Sequence, residues 1–147
     1  KYKAEVIKRL APLPPVMCLA AQLNQVFMNL IVNAAHAIVD QGTITLLSGV
    51  EQDWVWVQVE DTGSGMSAEV QRRIFEPFFT TKDVGKGTGL GMSLSFSIIQ
   101  KHGGAIQVRS AVGQGTAIRI WLPVAGPQAL AKDAKPPAWE HEHEHTA

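Results

Sequence analysis

Two glycine clusters in a set order constrain this chain more than any other feature. Asp61-Thr62-Gly63-Ser64-Gly65 comes first and Gly85-Lys86-Gly87-Thr88-Gly89-Leu90-Gly91 follows, with an asparagine-bearing helical stretch ahead of both. Glycine is the default residue at any tight turn, so either cluster alone is ordinary punctuation. The order carries the signal. A carboxylate leads the first cluster, lysine sits inside the second, and side-chain amides precede both; together they describe a nucleotide pocket.

At 147 residues, 46% of them hydrophobic, the chain suffices for one domain with a sizeable core and is short for two. Its 13 basic and 13 acidic residues leave no overall field to draw it to nucleic acid or an anionic membrane, so a bound anion must be held locally. The single cysteine, Cys18, lies in the apolar run Pro15 to Ala20 and reads as a small buried thiol, with no partner for an intrachain disulfide. No signal peptide and no apolar run near the ~20 residues of a membrane helix is evident. The expectation is a soluble, cytoplasmic piece, compatible with a membrane anchor elsewhere in a longer protein.

Residues 1–125 alternate strand and helix signals with short connections and read as the domain. Residues 126–147 turn to Ala, Pro and Lys and end in alternating His and Glu, with too little apolar content to pack, so a disordered tail or a purification tag is expected. His141, His143 and His145 leave a metal-binding alternative open.

A long helix is expected from Ala20 to Asp40, because Leu23, Val26, Phe27, Leu30, Ala34, Ala37 and Ile38 recur at spacings of three and four. Gln22, Gln25, Asn29, Asn33 and His36 make a polar stripe on the same helix. A merely solvated face favours Lys and Glu, whereas Asn is a poor helix former. Asn29 and Asn33, one turn apart, point the same way, and amide oxygens so placed suit a hard cation such as Mg²⁺. An ordinary polar face is the alternative.

Trp54 to Asp61 alternates as a strand with Val55, Val57 and Val59 on one face, and Asp61 shares their parity. A carboxylate aimed at an apolar layer needs a hydrogen-bond partner, and an adenine amino group supplies one. The glycines that follow would let the backbone approach a flat base; a hairpin turn with an exposed Asp is the plainer alternative. Trp54 and Trp56 face the other way with Gln58 and Glu60, as an aromatic stripe on a half-covered sheet or a partner surface.

A short helix, Ala68 to Ile74, leads into Phe75-Glu76-Pro77-Phe78-Phe79-Thr80-Thr81-Lys82. Pro77 breaks the helix, and the three aromatic side chains anchor a mobile lid whose free part is Asp83 to Gly89. A further helix opens near Leu90 and runs to Lys101. Backbone N–H groups at its glycine-rich start form a phosphate cradle, with Lys82 and Lys86 for charge. The pattern is neither a P-loop nor a dinucleotide-binding fingerprint.

These segments, in this order, resemble the N, G1, F, G2 and G3 boxes of the sensor histidine kinase ATP-binding domain. They are Asn29-Leu30-Ile31-Val32-Asn33-Ala34, Asp61 to Gly65, Phe75 to Phe79, Gly87 to Gly91, and Gly113-Gln114-Gly115-Thr116. Phe79 to Lys82 and Lys101-His102-Gly103-Gly104 are similar to the nitrogen- and oxygen-sensing branch. The resemblance implies the Bergerat fold, an α/β two-layer sandwich whose mixed, mainly antiparallel sheet carries helices on one face.

It also implies roles. Asp61 would contact the adenine amino group, Gly63 and Gly65 would form the base-binding turn, and Thr116 would complete the hydrogen bonds around the base. Asn33 would ligate Mg²⁺. Asn29 would hold or polarise the phosphate end and Lys82 would reach the terminal phosphates, the two catalytic assignments. Lys86, Gly87, Thr88, Gly89, Leu90 and Gly91 would line the phosphates, and His36 is a phosphate contact or a solvated residue. The cofactors implied are ATP and Mg²⁺. The partners implied are a phosphoacceptor helical hairpin of the same full-length kinase, a response regulator receiver domain, and a second copy in a homodimer. No acceptor hairpin is recognisable here, and His102 reads as a residue at a helix C-terminus. The competing readings are a general ATPase of the same fold, disfavoured by an amide at Asn29 where such enzymes place Glu, and a non-catalytic nucleotide sensor.

Overall fold

The computed structural model describes residues 4–77, 79, 91–126 and 134–139. Five strands form one sheet in the order β1-β2-β3-β5-β4: β1 (Ala4–Leu10), β2 (Gly42–Glu51), β3 (Trp54–Asp61), β4 (Ala105–Ala111) and β5 (Gly115–Pro123). The helices are α1 (Ala20–Ala37), α2 (Ala68–Arg73) and α3 (Gly91–Lys101). β1 reaches β2 through α1 and so pairs with it in parallel, whereas every other pairing is antiparallel. The mixed, mainly antiparallel sheet with helices on one face is as the family resemblance implies.

The core lies between that face and α1 and α3. Leu23, Val26, Leu30, Ala34 and Ile38 from the first helical stretch meet Ile44 of β2, Val55 and Val59 of β3, and Ile118, Ile120 and Leu122 of β5, while α3 adds Met92, Ile98 and Ile99. Strand alternation makes this possible: each inward residue of β3 sits opposite an inward residue of β5, as Val59 does opposite Ile118. Cys18 is half-buried against the same core.

α1 ends at Ala37, short of the expected Asp40, because Ile38 turns extended (φ −87°, ψ 115°). The carbonyl of Ala37 then accepts the Ser64 N–H at 3.0 Å, so the first glycine turn terminates the helix. α3 ends at Lys101, as expected, and His102 and Gly103 turn the chain away, the latter at φ 75°, the left-handed conformation that glycine adopts without strain.

Of the tail, residues 126 and 134–139 are described. Although residues 126–147 are poor in apolar side chains, Trp139 is 8% exposed, against the helix-free face of the sheet. A count of apolar residues misses it because one indole buries a large area and its π-face satisfies cations. The guanidinium carbons of Arg109 and Arg119 lie 4.4 and 4.8 Å from its ring centre. The His-Glu repeat lies outside the described residues, as does residue 126–147's stretch at 127–133.

Candidate nucleotide site

The site is built where β3 ends and β5 begins, beside α1. Asp61, the last residue of β3, pairs directly with Thr116 of β5, so both side chains project from the helix-covered face. The Asp61 carboxylate accepts the Gly63 N–H at 2.8 Å. Burial raises its pKa above the usual 3.8, and hydrogen bonds from the backbone of Gly63 and Thr116 oppose that rise. A carboxylate short of solvent with room for another donor fits an amino group of a ligand.

The glycines around Asp61 answer first to the protein itself. A Cβ on Gly63 would lie 2.4 Å from the Ala37 carbonyl oxygen, and one on Gly65, at φ 74°, would lie 2.0 Å from that of Ala111. Gly115, at φ 85°, leaves room for the Asp61 carbonyl oxygen, which a Cβ would approach to 2.1 Å. The Gly113 N–H bonds to the Ser64 oxygen at 2.7 Å, completing the interlock. These close approaches fix the turn whether or not a base lies on it, a reason for the glycines different from the one read in the sequence.

Ser110 is the hub that sequence reasoning missed. Its hydroxyl accepts the Met66 N–H at 2.8 Å, donates to the Gly115 oxygen at 2.9 Å and lies 2.8 Å from the Thr116 hydroxyl. With its one hydrogen given to Gly115, Ser110 accepts from Thr116, and the Thr116 oxygen keeps its lone pairs for another donor. Gln71 of α2 clamps the same loop by donating to Met66 O and Ser110 O at 3.0 and 2.9 Å. A signal existed: Ser110 shares the parity of Ile106 and Val108 on β4, a polar residue on an apolar face.

Asn29 stands where α1 meets the start of α3. Its Nδ2 donates to Gly91 O at 3.1 Å and to Ser95 Oγ at 3.2 Å, and its Oδ1 accepts from Gln25 at 3.1 Å. Ser95 is fully buried, a second polar residue on an inward face that the pattern Met92, Ser95, Ile99 disclosed. Asn29 therefore holds the first turn of α3 in place. Asn33 lies one turn along the same stripe, half-buried, and His36 beyond it is exposed.

The aromatic anchor is partly seen. Phe75 packs on Phe96 of α3 at 5.2 Å between ring centres, and Arg73 lies over Phe79 at 4.6 Å. Phe78 and the whole of residues 80–90 fall outside the described residues, so the expectations on Lys82, Lys86, Gly87, Thr88, Gly89, Leu90 and the lid lie there too. Of that cluster only Gly91 is described, as the first residue of α3.

Comparison with known proteins agrees with this geometry. The family described as "Histidine kinase-, DNA gyrase B-, and HSP90-like ATPase" matches residues 18–126. Sensor kinase CckA of Brucella abortus is 44% identical over 135 residues, which cover 82% of this chain and 14% of that protein. Sporulation kinase E of Bacillus subtilis is 42% identical over 113 residues, 76% of this chain and 15% of that protein. Among solved structures, the catalytic domain of histidine kinase ThkA superposes with a TM-score of 0.74 at 30% identity, covering 84% of this chain and 80% of that one.

A two-layer sandwich with a carboxylate at the end of a central strand, facing the helices, thus defines an ATP-binding domain. The chain belongs to the histidine kinase-, DNA gyrase B- and HSP90-like ATPase family, and within it to the ATP-binding catalytic domains of sensor histidine kinases. It spans about a seventh of the length of the two curated relatives just named.

Proposed function

We propose that this domain presents the γ-phosphate of ATP to a histidine on a separate helical hairpin of the same full-length kinase, and that a response regulator receiver domain takes the phosphoryl group onward. The observation that carries the reading is the half-buried Asp61 carboxylate opposite Thr116, set in a glycine interlock at one end of the sheet. Its ionised form accepts from the adenine amino group, the Thr116 oxygen accepts a further donor around the base, and Gly63 and Gly65 keep the turn beneath it.

From the base the triphosphate runs toward the start of α3. Asn29 fixes that helix start, so the first turn of α3 faces the phosphates, where the helix dipole favours negative charge. Gly87, Thr88, Gly89, Leu90 and Gly91 line the chain, Lys82 and Lys86 neutralise it, and His36, on the same stripe as Asn29 and Asn33, contacts its end. Among the described residues no group of three His, Cys, Asp or Glu is placed to hold a metal. The donor set suits Mg²⁺ nevertheless, since that ion takes few protein oxygens beside water and phosphate, and the Asn33 amide offers one. When bound, the ion would screen charge on the phosphates; the chain's own part is positioning and charge neutralisation, with no covalent enzyme step.

The full-length protein works as a homodimer in this reading, with this domain on the cytoplasmic side. No helix among the described residues is long and apolar enough to cross a membrane.

The test uses the domain with a purified acceptor hairpin from its own full-length kinase. ATP should then phosphorylate the hairpin, giving an acid-labile, base-stable product, while the domain alone binds ATP and releases phosphate very slowly. Fast phosphate release by the domain alone would favour the general ATPase, and an inert mixture would favour a nucleotide sensor.

A further inference from the structure

The helix-free face of the sheet carries side chains that the nucleotide site does not use. Trp56 of β3 pairs with Trp121 of β5, Gln58 with Arg119, and Gln107 of β4 also with Arg119. Trp54, Gln58 and Trp121 are 4%, 4% and 0% exposed although no described helix packs on this side. Such burial on an open sheet face means that the face is organised and covered by something other than the helices.

Its centre is Arg119. The guanidinium carbon lies 3.8 Å from the Trp56 ring centre, 5.3 Å from that of Trp121 and 4.8 Å from that of Trp139. Its Nε donates to Gln58 Oε1 at 2.7 Å, and Gln58 in turn donates to Glu60. Trp121 donates its indole N–H to Gln107 at 2.8 Å. Arg109 completes the enclosure, stacking on Trp139 and donating to its backbone oxygen. Trp139 thus lies against two cations that would otherwise repel. Burial pulls Arg119 down to about 10, Arg109 acts the same way, and Glu51 and Glu60 oppose them. Two guanidinium groups held by strand residues form a cationic cage around the Trp139 indole, whose face attracts both.

The occupant is built to match. Pro136 and Pro137 restrict the backbone before Trp139, so little freedom is lost on docking, and both are half-buried. The backbone oxygen of Trp139 is recognised together with its ring, which sets the direction of the segment.

We propose that the helix-free face is a peptide-docking site for a Pro-Pro-x-Trp segment, with Arg109, Arg119 and Trp56 as its aromatic subsite, and that this chain's own Pro136–Trp139 occupies it in cis. The inference is independent of the nucleotide reading. The site would accept the same motif in trans only when the chain's own segment is released.

The test is competition in the full chain. A peptide of the sequence Lys-Pro-Pro-Ala-Trp, residues 135–139, should bind the Trp139→Ala chain with perturbed Trp56 and Trp121 indole resonances, and bind the unsubstituted chain at least tenfold more weakly. Adding Arg119→Ala to Trp139→Ala should weaken that binding at least tenfold, and replacing the peptide's Trp by Ala should abolish it. Equal binding to both chains, or none to Trp139→Ala, would overturn the proposal. So would a dimer of the unsubstituted chain that Trp139→Ala dissolves, since the segment would then dock on a second copy. A second measurement needs no change at Trp139: chymotryptic cleavage after Trp139 should become at least tenfold faster in Arg109→Ala, and an unchanged rate would count against the cage.

Discussion

The Leu19 N–H donates to His102 Nε2 at 3.1 Å, across 83 residues of sequence. Because Nε2 accepts, the ring hydrogen sits on Nδ1, which lies 2.9 Å from the Ile98 carbonyl oxygen and donates to it. One buried neutral imidazole therefore joins the N-cap of α1, which has no side-chain cap, to the last turn of α3. His102 is more than a residue at a helix end: it ties together the two helices that flank the proposed phosphate site.

Replacing His102 by Ala should lower unfolding stability by about 1–3 kcal/mol, the penalty of leaving buried backbone groups without partners. Urea denaturation monitored by circular dichroism measures it. A change below a few tenths of a kcal/mol would show that water replaces the ring.

Asp61→Asn should weaken ATP binding by about 1.5–3 kcal/mol, the scale of a hydrogen bond to a charged group, and leave the fold intact. GTP, with a carbonyl where adenine has its amino group, should bind poorly to the unsubstituted protein. Equal calorimetric affinities for ATP and GTP would defeat the assignment of Asp61 to the base.

The raised Asp61 pKa gives opposite pH trends for stability and binding. Burial makes the folded protein hold the Asp61 proton more tightly than the unfolded chain, so the ionised carboxylate detracts from the stability of the empty protein. That deficit should shrink as pH falls through the raised value and vanish below the unfolded one. ATP affinity should fall over the same window, as the acceptor is protonated. Asp61→Asn should remove both trends, which paired unfolding and titration series would detect.

Gly115→Ala and Gly113→Ala separate packing from backbone conformation. Both positions have positive φ, but a Cβ at 115 would meet the Asp61 oxygen at 2.1 Å, whereas at 113 nothing lies within 4 Å. Gly113→Ala should cost roughly 1–2 kcal/mol, the strain of the left-handed region. Gly115→Ala should cost clearly more and also weaken ATP binding, because the backbone of Asp61 must move. Similar losses in both would mean that the interlock relaxes freely.

Asn33→Ala should keep adenosine affinity and lose the strengthening that Mg²⁺ gives to ATP. Asn29→Ala should reduce transfer to the acceptor hairpin more than it reduces ATP binding, since it frees Gly91 and Ser95 at the start of α3. If Mg²⁺ still strengthens ATP binding in Asn33→Ala, another group is the ligand.

Periodicity alone determined α1, β3 and the inward parity of Asp61, because spacing along one element fixes which side chains share a face. The ordered boxes were equally legible, and the family followed from them. Tertiary structure decided what depends on residues far apart in sequence meeting. Gly65 against Ala111, Gly115 against Asp61 and Ser110 against Met66 make the interlock, and none of those contacts leaves a periodic trace. The same holds for Trp139. Its segment is too polar to read as part of a fold, and only the cross-strand register that brings Arg109 and Arg119 to one face gives its indole a place to bind. Local pattern sets the orientation of a side chain, whereas its partner is set by how the strands and helices pack.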